Sequence, residues 1–138
     1  MKRDMIIEFN EGMEVNAHYD SRVLSTDQPP PRGDGSASSP FDLFLASIGT
    51  CTGYFVLKFC RQRDLPTDDV RIVEHIEVDD NSHMVIRINL EIQVPLGFPE
   101  KYHQALIRAA NQCTVKKHLE SPPQLVSYTK VIEGGVIS

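Results

Sequence analysis

Ser39-Pro40-Phe41-Asp42-Leu43-Phe44-Leu45-Ala46-Ser47-Ile48-Gly49-Thr50-Cys51, running on through Thr52 to Arg63, is the stretch that decides the fold. It opens as helices open: Ser39 stands where an N-cap hydroxyl belongs, Pro40 takes the first helical position, and Asp42, three residues past Ser39, completes a capping-box pattern. It closes with Arg61 and Arg63 at the negative end of the helix and Pro66 beyond them. The spacing predicts a helix over Pro40 to Arg63, ~35 Å long. At about 100° per residue, Phe41, Phe44, Ile48, Tyr54, Phe55, Leu57 and Phe59 point in nearly every direction around its axis. A helix apolar all round has to be covered all round. One sheet of about six strands and one further helix, which is what the rest of the chain supplies, do not achieve that alone. A homodimer is therefore expected.

On the N-terminal side, Asp27 to Ser39 holds three consecutive prolines and two glycines, which sustain neither helix nor ladder and predict a loop. Before it, Ile6 to Ser25 alternates apolar Met13, Val15, Ala17 and Tyr19 with polar neighbours after an Asn10-Glu11-Gly12 turn, predicting two or three short antiparallel strands. On the C-terminal side, Val70 to Asp79 and Met84 to Val94 predict a hairpin. The second strand, with Ile86, Ile88, Leu90 and Ile92 in one phase, carries the cleanest period-2 signal in the chain. A second helix is predicted from Pro99 to about Leu119, with Tyr102, Ala105, Leu106, Ala109, Ala110 and Cys113 on one stripe. Leu125 to Ile132, β-branched-rich and preceded by Pro122-Pro123, predicts a final strand. The fold class is α/β in the α+β sense, antiparallel strands with two core helices, in one domain spanning 1–138.

The 138 residues suit one core and one site. A net charge of −5, with the acids and bases scattered, gives no footprint for nucleic acid or an anionic membrane surface. The uncharged run from Leu43 to Leu57 falls short of the about 20 apolar residues a membrane span needs. Neither nucleic acid nor a membrane is expected as a partner. No apolar signal segment follows the basic N-terminus, and the three cysteines do not form a disulfide framework. A cytoplasmic location is expected.

Cys51 lies mid-helix between Gly49 and Gly53, each of which costs about 1 kcal/mol relative to alanine. Close approach of another backbone or of a substrate would repay that cost. The plainer reading makes Cys51 a small buried apolar residue. Cys60 lies roughly 13.5 Å further along the same helix and half a turn round, beyond disulfide reach of Cys51. Cys113, on another helix, has no such obstacle. A metal reading built on Cys113 and His118 lacks the paired spacing of a structural zinc site. His18, His75, His83 and His103 fall at polar positions and read as surface histidines.

The Ser39 to Cys51 stretch resembles the central-helix motif of the OsmC/Ohr family, and Ala109-Ala110-Asn111-Gln112-Cys113-Thr114-Val115 is similar to that family's second-cysteine motif. The order of elements matches over essentially the whole chain. The resemblance implies an intertwined homodimer acting as a thiol peroxidase of the oxidative stress response, with no bound cofactor. In it Cys51 attacks an organic hydroperoxide, Cys113 resolves the sulfenic acid, and an external dithiol reduces the disulfide. Apolar residues such as Phe44, Phe55 and the Met84 to Val94 strand would favour organic hydroperoxides over hydrogen peroxide.

A mid-helix thiol gains nothing from the dipole of its own helix, so a cation is expected to hold its thiolate. In the family that cation is an arginine steered by a glutamate directly after the helix proline. That position here is Phe41, with Asp42 one place on. Arg32 in the proline-rich loop is the candidate arginine, and Arg22 its competitor. The departure at Phe41 leaves a second function open, a non-enzymatic protein that keeps the fold and binds a small apolar molecule.

Overall fold

A computed structural model describes residues 1–134. The N-terminal strands are β1 (Ile6–Phe9), β2 (Val15–Tyr19) and β3 (Arg22–Thr26), an antiparallel sheet in that order. Its second turn is a two-residue hairpin in which Asp20 and Ser21 both have positive φ, 45° and 61°, and Tyr19 pairs with Arg22. This is the turn whose twist matches that of the flanking strands. The loop after β3 is organised by the buried Asp27. Its carboxylate accepts from the backbone N–H of Gln28, Asp34 and Ser36 and from the Ser36 hydroxyl, which hold it below the usual carboxylate range.

Helix α1 covers Pro40–Gln62, and the Ser39 hydroxyl accepts from the Asp42 backbone N–H at 3.2 Å. It is followed by the hairpin β4 (Arg71–Val78) and β5 (Val85–Gln93), paired from Arg71 opposite Gln93 to Val78 opposite Val85 with a bulge at Glu77/Val78. The strands of the two sheets do not pair with each other, so the single six-stranded sheet expected from the sequence is replaced by separate three- and two-stranded sheets. The core lies where Val56, Phe59 and Cys60 of α1 meet Phe98, Leu106 and Ala110, with Ile72 and Ile92 closing it from the hairpin.

Two sequence expectations fail in instructive ways. The segment Pro99 to Leu119 is not one helix: a short 3-10 turn at Glu100–Tyr102 leads into α2 (His103–Ala110), and α3 (Thr114–Glu120) starts anew. Between them Asn111 ends α2, and Cys113 turns into extended backbone (φ −49°, ψ 122°) as the N-cap of α3. The apolar stripe is real, but Asn111 and Cys113, which bound the break, are weak helix formers and let the chain turn. Leu125 to Ile132 forms no strand and is exposed throughout. A β-propensity run without a partner edge has nothing to pair with.

By length and composition α1 is apolar enough to cross a membrane, yet Leu45, Ile48, Val56, Phe59 and Cys60 are buried against the rest of the chain. The remainder is not covered: Phe41, Tyr54 and Leu57 stay exposed, and Phe55 is half-buried.

Candidate functional site

Around Cys51 the hydroxyls of α1 are occupied locally. Thr50 donates to the Ala46 carbonyl and Thr52 to the Ile48 carbonyl, leaving neither to serve the thiol. The partners of Cys51 come from the break between α2 and α3. Because Cys113 turns the chain and caps α3, the backbone N–H groups of Thr114 and Val115 are left without intrahelical acceptors and meet Cys51. Burial pushes the Cys51 thiol up, but the Val115 N–H, the Cys113 thiol, and the N–H and hydroxyl of Thr114 outweigh it. The net shift is downward from the ordinary thiol value. Hydrogen bonds to the charged form favour the thiolate.

The three cysteines differ in access. Cys51 is partly exposed, whereas Cys60 and Cys113 are fully buried and all three are free thiols. Cys113 accepts from the Lys116 N–H at 3.4 Å and lies 4.0 Å from the Ile48 carbonyl, one turn from Cys51 on α1. Burial pushes the Cys60 thiol up, against weaker help from Arg61 and Arg63, and the residue belongs to the apolar core. The geometry thus brings Cys51 and Cys113 together and sets Cys60 apart.

It does not bring the expected charges to them. The groups that shift Cys51 include neither an arginine nor Asp42. Arg32 is exposed in the loop, its backbone N–H on the Pro29 carbonyl, and among the described residues its guanidinium makes no ion pair. Arg22 is exposed on β3. Asp42 contributes its backbone N–H to the cap of α1. Backbone donors stand where the sequence reading placed a cation.

Phe44 and Ile48 share the face of α1 that carries Cys51, seven and three residues before it. With Met84, Val85 and Ile88 of the hairpin and Leu119 of α3 they line an apolar cavity of about 500 Å³. His83, at the hairpin turn with φ 60°, closes one side.

One further residue escaped the sequence reading. Glu74 of β4 lies against α1 on the side away from Cys51, so close to Gly49 that a Cβ there would sit 2.5 Å from its Oε1. This is the close approach that the glycine permits. Glu74 Oε2 is buried with no hydrogen-bond partner among the described residues, and burial pushes the carboxyl up, the Gly49 N–H opposing. The signal was a charge in phase with the apolar Ile72 and Ile76 along β4. Since the folded chain holds this proton more tightly than the unfolded one, stability falls as pH rises from the unfolded carboxyl range through the folded value. Glu74→Gln should unfold in urea at the wild-type midpoint near about pH 4 and exceed it by roughly 1 kcal/mol at about pH 7. A less stable variant at neutral pH would mean that the carboxylate has a partner.

The model of the family described as OsmC-like protein matches residues 33–127. No curated protein matches the chain. Among solved structures, the chain is similar to an OsmC-like protein from Mycoplasma pneumoniae, with 15% identity, a TM-score of 0.67, and coverage of 88% of this chain and 89% of that one. It is similar to a protein from Psychrobacter arcticus 273-4 named for osmotic stress induction and detoxification response, with 18% identity, a TM-score of 0.67, and coverage of 82% and 85%. An organic hydroperoxide resistance protein from Legionella pneumophila shares 18% identity at a TM-score of 0.55, over 84% and 88% of the two chains. At these identities the structures speak for the fold, and the family model, which spans both cysteine motifs, speaks for descent: the chain belongs to the OsmC-like family.

Proposed function

We propose that the protein is a cytoplasmic thiol peroxidase that reduces organic hydroperoxides, serving resistance to oxidative stress. The observation that carries this reading is the one accessible thiol, Cys51, held below the ordinary thiol value by the donors of Thr114, Val115 and Cys113. A thiolate is the nucleophile such chemistry needs. The Cys51 thiolate attacks one peroxide oxygen, the O–O bond breaks, and the leaving alkoxide takes up a proton to become an alcohol. Cys51 is then a sulfenic acid. Attack by the Cys113 sulfur releases the hydroxyl with the Cys113 proton as water and forms the disulfide, and an external dithiol restores both thiols. The first step uses backbone donors, with Arg32 and Asp42 outside it. The organic group of the peroxide occupies the cavity of Phe44, Ile48, Met84 and Ile88.

Turnover of cumene hydroperoxide with dithiothreitol tests this function. Consumption that requires the protein supports it. Binding without consumption would leave the second reading, an apolar-ligand protein on the same fold, in its place.

The working unit in this reading is a homodimer. Phe41, Tyr54 and Leu57 on α1 and the exposed Leu125 to Ile132 include apolar surface that a second copy would cover and pair with. Light scattering at micromolar concentration should give twice the chain mass of 15.5 kDa. A mass of one chain would refute the dimer.

A further inference from the structure

Between the C-terminal half of α1 and α2 runs a crevice of about 350 Å³ that the thiol chemistry does not use. Lys58, Arg63 and Arg108 line it with the amides of Gln62 and Gln112, over a floor that includes Phe59, and no carboxylate is among its lining residues. In a chain with 19 acidic and 14 basic residues, three clustered cations without an acid require a reason. Arg63 has one of its own: its guanidinium donates to the Phe59 carbonyl at 3.1 Å and stacks 3.7 Å above the Phe59 ring, which serves the end of α1. Lys58 and Arg108 have none. The ion pairs among the described residues are Arg3 with Asp20, His18 with Glu8 and His75 with Glu91, and they include neither.

We propose that this crevice binds one oxyanionic group, a carboxylate or a phosphate. The stacked Arg63 offers a planar guanidinium already fixed in direction, and such forks match the paired oxygens of these anions. Lys58 and Arg108 add mobile charge from opposite walls, and the two glutamine amides supply neutral donors. The crevice is linked to the thiol pair along the chain: Gln112 immediately precedes Cys113, and Phe55, also in its lining, lies one turn past Cys51. The anion is either free in solution or the head of a molecule whose apolar part extends over Phe55 toward Cys51. The proposal does not depend on Cys51 being a peroxidatic thiol.

The test is titration calorimetry of the full-length protein with sodium phosphate, sodium acetate and sodium decanoate, at ionic strength held constant with sodium chloride. Lys58→Gln/Arg108→Gln is the comparison, with Arg63 left in place to hold α1. Both substitutions are at exposed positions, and an unchanged thermal midpoint in sodium chloride verifies the fold. Wild type is expected to bind at least one of the probes with a dissociation constant of about 1 mM or tighter, and the double variant at least about tenfold more weakly. Decanoate binding about tenfold or more above acetate assigns the anion to the head of an apolar molecule, and equal binding assigns a free anion; either supports the site. Failure of all three probes to bind wild type, or equal affinity in the double variant, overturns it.

Discussion

Cys51→Ser is expected to reduce hydroperoxide consumption to background, a loss of at least roughly a thousandfold, because a hydroxyl at that position stays protonated under conditions where the thiol is partly ionised. Removal of the resolving thiol has a different signature. Cys113→Ser should still consume one equivalent of peroxide and then stall, its Cys51 sulfenic acid open to trapping by dimedone. Cys60→Ser should change neither outcome, for Cys60 is buried in the core and its thiol is pushed up rather than down. Equal consumption by wild type and Cys51→Ser would remove the enzyme reading.

The largest effect on stability is expected at Phe59. The side chain is 4% exposed, meets the Tyr102 ring edge-on at 5.7 Å between centroids, and carries the Arg63 guanidinium on its face. Phe59→Ala leaves a cavity at the junction of α1, α2 and the hairpin and costs about 3–5 kcal/mol. Against a total of about 5–15 kcal/mol that is a large share, and it corresponds to a fall in thermal midpoint of roughly 10–20 °C. Circular dichroism on heating measures it directly. A shift of under about 1 kcal/mol would place the ring outside the core.

How much of this was legible in the sequence follows from the range of the forces involved. The start of α1 was, because Ser39, Pro40 and Asp42 act on one another within a single turn. The β4–β5 hairpin was, because alternation records burial residue by residue. The α2–α3 break was not: a stripe that continues in phase from Leu106 to Cys113 hides a turn that depends on the dihedral angles of Cys113. With the break went the donors that lower the Cys51 thiol, since backbone N–H groups carry no sequence signature as side-chain cations do. Leu125 to Ile132 has the composition of a strand, but pairing is a property of two segments, and among the described residues no second one meets it. Glu74 was visible only as a charge in the wrong phase of β4, whose meaning depends on Gly49 of a distant element.

The central claim is that Cys51 and Cys113 form one redox pair. Its most direct test is the thiol content of the wild-type protein, titrated under denaturing conditions before and after one equivalent of an organic hydroperoxide, with peptide mapping of the product. The chain holds three cysteines, all free in the structure. The expected result is a fall from three thiols to one, with Cys51 linked to Cys113 and Cys60 the thiol that remains. An unchanged count, or a disulfide that includes Cys60, would contradict the account.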